Sequence, residues 1–358
     1  MSDFDIIIAG AGPAGCAAAI SLADFAPNLR VCLIDPGTRA DKIGDTVPPS
    51  VTPVLRHLGL WDRFVADGHL PAYRSRSTWG QREVVANEYL LRGGGSGWQL
   101  DRTAFDQALL DRARSLVTHF TPDKVVGLVS GERRLRVLLK QAAGYSARYA
   151  IDATGRTAVL TTLAGGRSRV EDRLVAGVTH VADRHAENPE LFLETFPDGW
   201  WYTALLPHGR RIVACMTDAD QVRQLELGAA DGFSRCLRET RHLRALLDPV
   251  ECLKAPRFFA AGWRRPAVNS GEPVLPVGDA ALALDPVCGQ GIVNALRTGI
   301  FASYAVADWL RRGAEDGVRK YRTLIYREAH AYRAALRDFY VAEARWPERP
   351  FWRRRQAA

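Results

Sequence analysis

The feature that most constrains this chain is a glycine-rich turn that joins an apolar run to a helix of small residues. Residues 4–9 (FDIIIA) are apolar and β-branched, which is typical of a fully buried strand. They lead into the turn GAGPAG at residues 10–15 and then into CAAAISLADF, which predicts a closely packed helix. A second apolar run, residues 30–34, ends on Asp35, twenty residues after Gly15. This order of strand, turn, helix, strand and acid predicts a βαβ unit that binds a dinucleotide.

The residues of this unit have separate physical roles. Gly10 makes the tight turn, and Gly12 lets the backbone approach a pyrophosphate. Gly15 permits close packing of the helix against the strand. Asp35 is placed to bind ribose hydroxyls, and an acid here, rather than an arginine, disfavours a 2′-phosphate. These residues alone therefore predict FAD or NAD as the ligand.

A second glycine-rich stretch, VGDAALALDPVCGQGIVN, occupies residues 277–294. An apolar run closes on Gly278 and Asp279, and a loop with Pro286, Gly289 and Gly291 precedes an apolar helix. Glycines just before a helix leave backbone N–H groups bare, which suits an electron-rich or anionic group. Paired with the first turn, this stretch predicts the other half of one cofactor site.

Length and charge narrow the classes of function. A chain of 358 residues is long enough for about two domains. The net charge of +8 comes almost wholly from arginine, and the basic residues are scattered apart from a cluster at 353–355. A nucleic-acid face would show a basic stripe with interleaved aromatics, so we expect no nucleic-acid partner. We interpret the charge as a solvated surface, with an acidic substrate or partner face as the alternative.

The cysteines and the N-terminal run indicate the compartment. Six cysteines form no CxxC pair and no His/Cys metal spacing, so no metal site is predicted and a reduced, cytoplasmic protein is expected. The first apolar run is broken by glycines and lacks a basic flank. We therefore expect neither a signal peptide nor a membrane span.

Four further segments carry a resemblance to a known superfamily: IGDTVPP (43–49), STWG (77–80), DATGR (152–156) and GWWYTALLP (199–207). With the two glycine-rich stretches they resemble FAD-dependent monooxygenases of the p-hydroxybenzoate-hydroxylase-like and flavin-dependent halogenase-like superfamily, over essentially the whole chain. The resemblance implies an α/β fold, with a Rossmann-type FAD-binding domain and an inserted antiparallel-sheet substrate domain. The expected FAD-binding domain comprises residues 1–70, 96–165 and 254–358, including C-terminal helices. The expected substrate domain comprises residues 71–95 and 166–253.

The resemblance also assigns FAD contacts. Asp279 would bind the ribityl chain, and the loop from Pro286 to Gly291 would meet the pyrimidine side of the flavin. Arg102 matches an arginine that reaches FAD from a helix start, for which Asp101 is the predicted N-cap. Asp45 stands where the superfamily usually has glutamate. The full expected cofactor set is Gly10, Gly12, Pro13, Ala14, Gly15, Asp35, Pro36, Asp45, Arg102, Val126, Gly278, Asp279, Pro286, Gly289, Gln290, Gly291 and Ile292.

Two departures from the halogenases disfavour halogenation. The halogenase motif W-x-W-x-I-P corresponds here to Tyr202-Thr203-Ala204-Leu205-Leu206-Pro207, which lacks both tryptophans. No lysine occurs between Lys42 and Lys124, and Arg74 stands near the expected position of the halogenase lysine. Arginine stays protonated and does not readily form a chloramine-like adduct.

A narrower group matches better. The short length, the segments GWWYTALLP and MTDAD, and the tail RW…PFWRRR look similar to the flavoprotein maturases of tryptophylquinone-containing amine oxidases. Those enzymes hydroxylate a tryptophan in a precursor protein. The tail itself is expected to cover the domain surface rather than to dock a partner.

The resulting hypothesis is an FAD-dependent monooxygenase that hydroxylates an indole or phenol through a flavin C4a-hydroperoxide. O₂ is the oxidant, and electrons come from NAD(P)H or a separate flavin reductase. The substrate is an aromatic small molecule or a tryptophan-containing precursor protein. Alternatives are a flavin-dependent halogenase, a geranylgeranyl-reductase-like flavin oxidoreductase and a non-catalytic FAD-binding chaperone. Candidate catalytic residues are Arg74, His208 and Asp285, with His180 as a further polar helper; candidate substrate contacts are Trp79 and Trp201.

Overall fold

The computed structural model describes residues 3–37, 43–89, 95–183, 188–247, 253–267 and 273–357. The strands are β1 Asp3–Ala9, β2 Val31–Ile34, β3 Thr46–Val47, β4 Leu70–Ala72, β5 Arg74–Ser77, β6 Val85–Glu88, β7 Gly97–Gln99, β8 His119–Thr121, β9 Val125–Ser130, β10 Leu135–Leu139, β11 Tyr145–Asp152, β12 Leu174–Ala182, β13 Leu191–Phe196, β14 Gly199–Leu206, β15 Arg210–Asp218, β16 Arg257–Ala260 and β17 Val274–Pro276. The α-helices are α1 Pro13–Phe25, α2 Val51–His57, α3 Trp61–Ala66, α4 Arg102–Leu116, α5 Val159–Leu163, α6 Gln221–Gln224, α7 Ala230–Arg238, α8 His242–Leu246, α9 Gly291–Arg312, α10 Asp316–Val341 and α11 Pro350–Gln356. Short 3-10 helices lie at Gly155–Thr157, Pro207–Gly209, Gly278–Ala280 and Pro286–Cys288.

The first sheet contains the predicted βαβ unit. Its strand order is β8-β2-β1-β11-β10-β9, and β17 pairs with the second half of β11. β1 runs parallel to β2 and to β11, so the carboxyl ends of these strands meet at one edge, where ligands of such sheets bind. Helices α1 and α9 pack closely together, because Gly299 has no Cβ that would meet the Ala14 carbonyl oxygen at 2.2 Å.

The second sheet is almost wholly antiparallel, with the order β16-β12-β15-β14-β13-β5-β6. Successive side chains of a strand point to opposite faces, and here both faces are covered. On one face Trp200 packs with residues of the C-terminal helices, whereas Trp201 packs on the other face with Phe233 of α7. A small third sheet, β3-β7-β4, lies beside the cofactor segment 43–47.

The alternating polar and apolar positions of residues 72–92 predict strands of an antiparallel sheet, and β5 and β6 do pair antiparallel, but other pairings differ. β4 belongs to the third sheet, and β5 runs parallel to β13, with Leu191 opposite Ser75. A parallel pair needs a long connection, and the more than one hundred residues between these two strands include β8 to β11 of the first sheet. Residues 93 and 94 of the glycine joint, together with Lys42 and Cys252, lie outside the described residues.

One predicted domain boundary is wrong in the described residues. The sequence placed the return to the FAD-binding domain at residue 254, but β16 pairs with β12 in the second sheet. Helix α10 also contacts both cores, because Tyr321 and Ile325 belong to the cluster around α1 and α9, and Tyr340 belongs to the cluster around Trp200. The C-terminal helices therefore join the two sheets. The remaining boundaries stay predictions.

The sequence predicts a helical segment at about residues 228–247, and the structure has two helices there, α7 and α8. The break is explained by one distant side chain. The buried carboxylate of Glu194 accepts hydrogen bonds from the backbone N–H groups of Arg241, His242 and Leu243. These bonds satisfy the exposed donors of a new helix start. The tail, by contrast, covers the surface as predicted, because Phe351 and Trp352 of α11 are fully buried.

Candidate active site

The glycine turn between β1 and α1 has the geometry that a pyrophosphate requires. Gly10 has φ +101°, and a Cβ there would lie 2.3 Å from the carbonyl oxygen of Ala153. A Cβ on Gly15 would lie 1.8 Å from the carbonyl oxygen of Gly10. Gly12, in contrast, faces open space, with no neighbouring heavy atom within 4 Å of a Cβ. Two glycines are thus required by the fold, and Gly12 is free for a ligand to approach.

Asp35 and its neighbours border this turn. The Asp35 carboxylate accepts hydrogen bonds from the N–H groups of Ala11 (2.7 Å) and Gly37 (2.8 Å). It therefore orders the turn, and each oxygen keeps a further lone pair for a ribose hydroxyl. Pro36 is exposed beside it, and Val126 on β9 is 51% exposed. Their contacts with the cofactor remain predictions.

The second glycine-rich stretch meets the first directly. Gly278 has φ +57°, and a Cβ on it would lie 2.9 Å from Ala14 Cβ. Its N–H donates to Thr298 Oγ1 of α9. The predicted pair of stretches, about 260 residues apart in sequence, is therefore in contact at Ala14 and Gly278.

The loop before α9 is open on the side that the cofactor would need. Neither Gly289 nor Gly291 has a heavy atom within 4 Å of a Cβ position, and Gln290 is exposed. Helix α9 is 22 residues long and begins at Gly291, next to partly buried Ile292. Its positive N-terminal dipole faces this space and suits a group with negative charge. Open positions at both glycine turns fit FAD, which would lie between them.

Asp279 lies in the 3-10 helix that follows β17. Its Oδ2 is 3.6 Å from Arg156 Nε, and its side chain is 35% exposed. Arg156 also donates to the carbonyl groups of Ala261 and Leu284, so it fixes the position of the acid. Sequence reasoning missed this arginine, although the motif DATGR contained it.

We expect Asp279→Ala to lower FAD affinity by about tenfold while the fold survives, because a half-exposed ion pair contributes about 1 kcal/mol or less to stability. The measurement is the dissociation constant of FAD from fluorescence titration of the apoprotein, with the thermal midpoint of the apoprotein as the control for folding. A variant that binds FAD as tightly as the natural protein would contradict this assignment.

Asp285 is fully buried at the start of the loop. Its Oδ1 accepts from the N–H of Val287, and its Oδ2 accepts from the hydroxyl of Tyr340 at 2.9 Å. Burial raises the pKa of Asp285 to about 6. The Asp285 N–H donates to the Tyr332 hydroxyl oxygen. With both oxygens engaged, Asp285 positions the loop that precedes α9.

Arg102 and Asp45 form a second buried group. Arg102 donates to the carbonyl groups of Ile43 and Gly44 and pairs with Asp106, so it holds the start of the IGDTVPP segment in place. The predicted N-cap Asp101 is confirmed, since its carboxylate accepts from the N–H groups of residues 103 and 104. Burial raises the pKa of Asp45 to about 6, and the charge of Arg102 opposes the rise. Oδ2 of Asp45 is buried and has no hydrogen-bond partner among the described residues.

The substitution Asp45→Asn should flatten the pH dependence of stability. The ordinary pKa is 3.8 and the folded value about 6, so the folded state binds more protons between these pH values. Stability therefore falls as pH rises through this window, by at most about 3 kcal/mol for this group. Urea unfolding of both proteins from pH 4 to 8 measures the difference, because Asp285 contributes equally to each. Identical profiles would contradict the prediction.

The three candidate catalytic residues lie on separate elements with separate partners. Arg74 on β5 forms ion pairs with Glu190 and Glu88. His208 lies in the turn between β14 and β15, with φ +64°, and its Nε2 is 3.1 Å from Asp101 Oδ2. The His208 side chain is 75% exposed, and its contact with Asp101 links this turn to the start of α4. The structure does not bring Arg74 or His208 into contact with Asp285.

The two candidate substrate residues lie on opposite faces of the second sheet. The prediction for Trp201 is corrected, because its side chain is fully buried against Phe233 on the face of the second sheet that α7 covers. Trp79 lies on the opposite face near Trp200, and its indole N–H donates to the Phe339 carbonyl. Tyr202, two residues after Trp200, shares that face. His180 is half-buried on β12, opposite Ile212.

Two absences apply only to the parts of the chain that the structure describes. There, no group of three or more His, Cys, Asp or Glu side chains could hold a metal ion. The helices of the same parts include none with the length and apolar character needed to cross a membrane.

Comparison with known proteins identifies the family. Residues 3–335 match the family described as FAD binding domain. The chain belongs to this family. LodB of Marinomonas mediterranea, described as "Putative FAD-dependent oxidoreductase", is 29% identical over all of this chain and 98% of its own length. The protein is accordingly an enzyme of the FAD-dependent oxidoreductase class with FAD as its cofactor.

Solved structures share the fold of this FAD binding domain protein. CmlS, a flavin-dependent halogenase, superposes with a TM-score of 0.87 at 22% identity, over 99% of this chain and 68% of its own. QhpG, a peptidyl tryptophan dihydroxylase essential for tryptophylquinone cofactor biogenesis, superposes with a TM-score of 0.78 at 24% identity, over 99% of this chain and 79% of its own. The predicted α/β fold with a Rossmann-type FAD-binding domain is thereby confirmed.

Proposed function

We propose that the protein is an FAD-dependent monooxygenase that hydroxylates an electron-rich aromatic ring, and that this ring is a tryptophan side chain of a partner protein. The observation that carries the proposal is a group of partly buried apolar side chains between the cofactor loops and the second sheet, namely Ile43, Val287 and Tyr202. Ile43 and Val287, from the two loops, pack in the same cluster as Trp200 and Tyr202 of β14. Such a group can hold an aromatic ring beside the flavin and exclude water from it.

The chain's own residues then have distinct tasks. Reduced FAD supplies the activation of O₂, with electrons from NAD(P)H or a flavin reductase. The N-terminus of α9 would favour negative charge on a cofactor bound beside the loop that precedes this helix. Asp285 and Tyr340 hold the loop before this helix in position through their hydrogen bond. Tyr202 is partly buried and would meet the substrate ring, and the fully buried Trp200 supports it from the same face.

Hydroxylation is favoured over halogenation by the residue at position 74. Arg74 stands near the expected position of the halogenase lysine, and it is engaged by Glu190 and Glu88. A guanidinium in ion pairs stays protonated and cannot act as the amine nucleophile that carries hypohalous chemistry. The absence of both tryptophans of the halogenase motif supports the same conclusion.

A protein substrate is favoured by one structural neighbour. QhpG acts on a peptidyl tryptophan, and its fold matches 99% of this chain and 79% of its own. The alternative substrate is a free indole or phenol, which the same apolar side chains would accept.

The test is oxygen incorporation by the purified holoenzyme. The protein is reduced with NAD(P)H and a flavin reductase under labelled O₂, with free indoles, tryptophan-containing peptides and a genomically adjacent precursor protein as candidate substrates. A product heavier by one labelled oxygen atom supports the proposal. The matched variant is Tyr202→Ala, which should retain FAD and lose turnover.

Other outcomes identify the alternatives. A mass shift that depends on chloride or bromide would establish a halogenase. Substrate-dependent oxidation or reduction of the flavin without oxygen incorporation would establish a geranylgeranyl-reductase-like oxidoreductase. Partner binding with unchanged NAD(P)H consumption and product mass would indicate an FAD-binding chaperone.

A further inference from the structure

A cleft outside the cofactor loops lies between the C-terminal helices and one end of the second sheet. Its volume is about 260 Å³. Helices α10 and α11 form one wall, and the residues around the start of β12 and the end of β15 form the other. The lining residues are Glu171, Asp172, Arg173, Asp218, Trp263, Arg333, Leu336, Arg337, Tyr340, Arg354 and Arg355.

The acids of this cleft are already neutralised. Asp172 and Asp218 both pair with Arg355, which is buried beneath them. Asp218 also pairs with Arg354. Glu171 pairs with Arg265, which lies outside the cleft. The carboxylates therefore do not compensate the remaining arginines of the lining.

Two of those arginines are exposed and available. Arg333 and Arg337 lie one turn apart on α10, so they present adjacent charges to the cleft. Neither makes a hydrogen bond or ion pair with any described residue. Arg173 is exposed on the opposite wall. The cleft thus has a positive rim on both walls.

The floor of the cleft is apolar. Trp263, Leu336 and Tyr340 are each less than 10% exposed and line it between the charged walls. A free phosphate would leave this floor uncovered, and a polyphosphate would also approach the acids of the lining. A peptide segment with carboxylate and apolar side chains matches both the rim and the floor.

The cleft is directly connected to the cofactor loop. The Tyr340 hydroxyl donates to Asp285, and the ring of Trp263 lies against Tyr332, whose hydroxyl accepts the Asp285 N–H. A segment in the cleft would therefore lie on the far side of two residues that hold the loop before α9.

We propose that this cleft binds an acidic segment of the protein substrate and so anchors that protein beside the cofactor domain. The inference rests on the proposed function, because it takes the substrate to be a protein. The partner is defined by its chemistry: a polypeptide stretch in which glutamate or aspartate alternates with apolar residues.

The test is a binding measurement with the FAD-loaded protein. The probe is a fluorescent peptide of alternating glutamate and leucine, and a lysine–leucine peptide serves as the opposite-charge control. Binding is compared for the natural protein, for Arg333→Glu/Arg337→Glu and for Lys320→Glu/Arg327→Glu. The second pair has the same change in net charge on the same helix, outside the cleft.

The expected result is salt-sensitive binding of the acidic peptide that falls about tenfold or more in the cleft variant and less than about twofold in the control. FAD content and oxygen incorporation into a free indole should be unchanged in both variants. Equal loss in both variants, or no binding to the natural protein, would overturn the inference. Displacement of the peptide by equimolar inorganic phosphate would indicate a free-anion site, and concentration-dependent dimerisation that the cleft variant abolishes would indicate a second copy of the chain; either would overturn it.

The two proposals fail separately. Oxygen incorporation into a free indole without peptide binding would overturn the docking cleft and leave the monooxygenase. Peptide binding without oxygen incorporation into any aromatic would overturn the monooxygenase.

Discussion

Replacing Gly12 with valine is expected to abolish stoichiometric FAD binding while the chain still folds. Gly12 has φ −75° and ψ −177°, an extended conformation that valine adopts, and no heavy atom lies within 4 Å of a Cβ. The new side chain would therefore fill the space that the pyrophosphate needs. We expect FAD affinity to fall more than about a hundredfold and the free energy of unfolding of the apoprotein to fall by about 1 kcal/mol or less.

Gly15→Val is the matched control for this prediction. Its Cβ would lie 1.8 Å from the carbonyl oxygen of Gly10, so that variant should fail to fold rather than only lose FAD. Urea unfolding of the apoproteins and FAD titration by fluorescence separate the two effects. A Gly12→Val protein that binds FAD as tightly as the natural protein would show that the cofactor lies elsewhere.

The largest expected loss of stability follows from Arg355→Leu. The guanidinium is 6% exposed, pairs with Asp172 and Asp218, and stacks on the ring of Phe351. The substitution would leave Asp172 without its ion-pair partner and Asp218 with only the partly exposed Arg354. We expect the free energy of unfolding to fall by about 3–5 kcal/mol.

The neighbouring Arg354→Leu gives the comparison for this effect. Arg354 pairs with the same Asp218 and with Asp220, but it is 42% exposed, so its removal should lower stability by about 1 kcal/mol or less. Both values come from urea unfolding at neutral pH. Equal losses in the two variants would contradict a special role for the buried pair. The triple variant Asp172→Asn/Asp218→Asn/Arg355→Met should recover much of the loss, because it leaves no unpaired charge.

Much of the cofactor site was predictable because its determinants are local. Gly10, Gly12 and Gly15 act through backbone conformation and the lack of a Cβ, and their spacing along the chain defines those roles. The two glycine-rich stretches were predicted to form one cofactor site, and they lie in contact at Gly278 and Ala14. Arg102 was predicted to reach FAD, and in the structure it donates to the carbonyl groups of Ile43 and Gly44, so its contact with FAD stays a prediction.

The predictions failed where the outcome depended on which face of a strand a side chain occupies, or on a partner far away in the sequence. In the run GWWY, a shift of one residue moves a side chain to the other face of a strand, so sequence alone could not separate Trp201 from Tyr202. The strand β16 was assigned to the wrong sheet because its partner, β12, lies about eighty residues earlier. Arg74 contacts Glu190 and His208 contacts Asp101, and both partners lie more than a hundred residues away in the sequence. The sequence therefore did not predict these contacts.

The sequence by itself determined the cofactor class and the fold. Both follow from short motifs, and the backbone conformation of such a motif depends on residues that are adjacent in the sequence. Tertiary structure alone decided which ring of β14 faces the cofactor loops and which arginines stay unpaired at the cleft. Those outcomes depend on side chains that meet across long separations, as Arg355 and Asp218 do over 137 residues. Local spacing does not encode such contacts, since packing of whole sheets and helices brings them together.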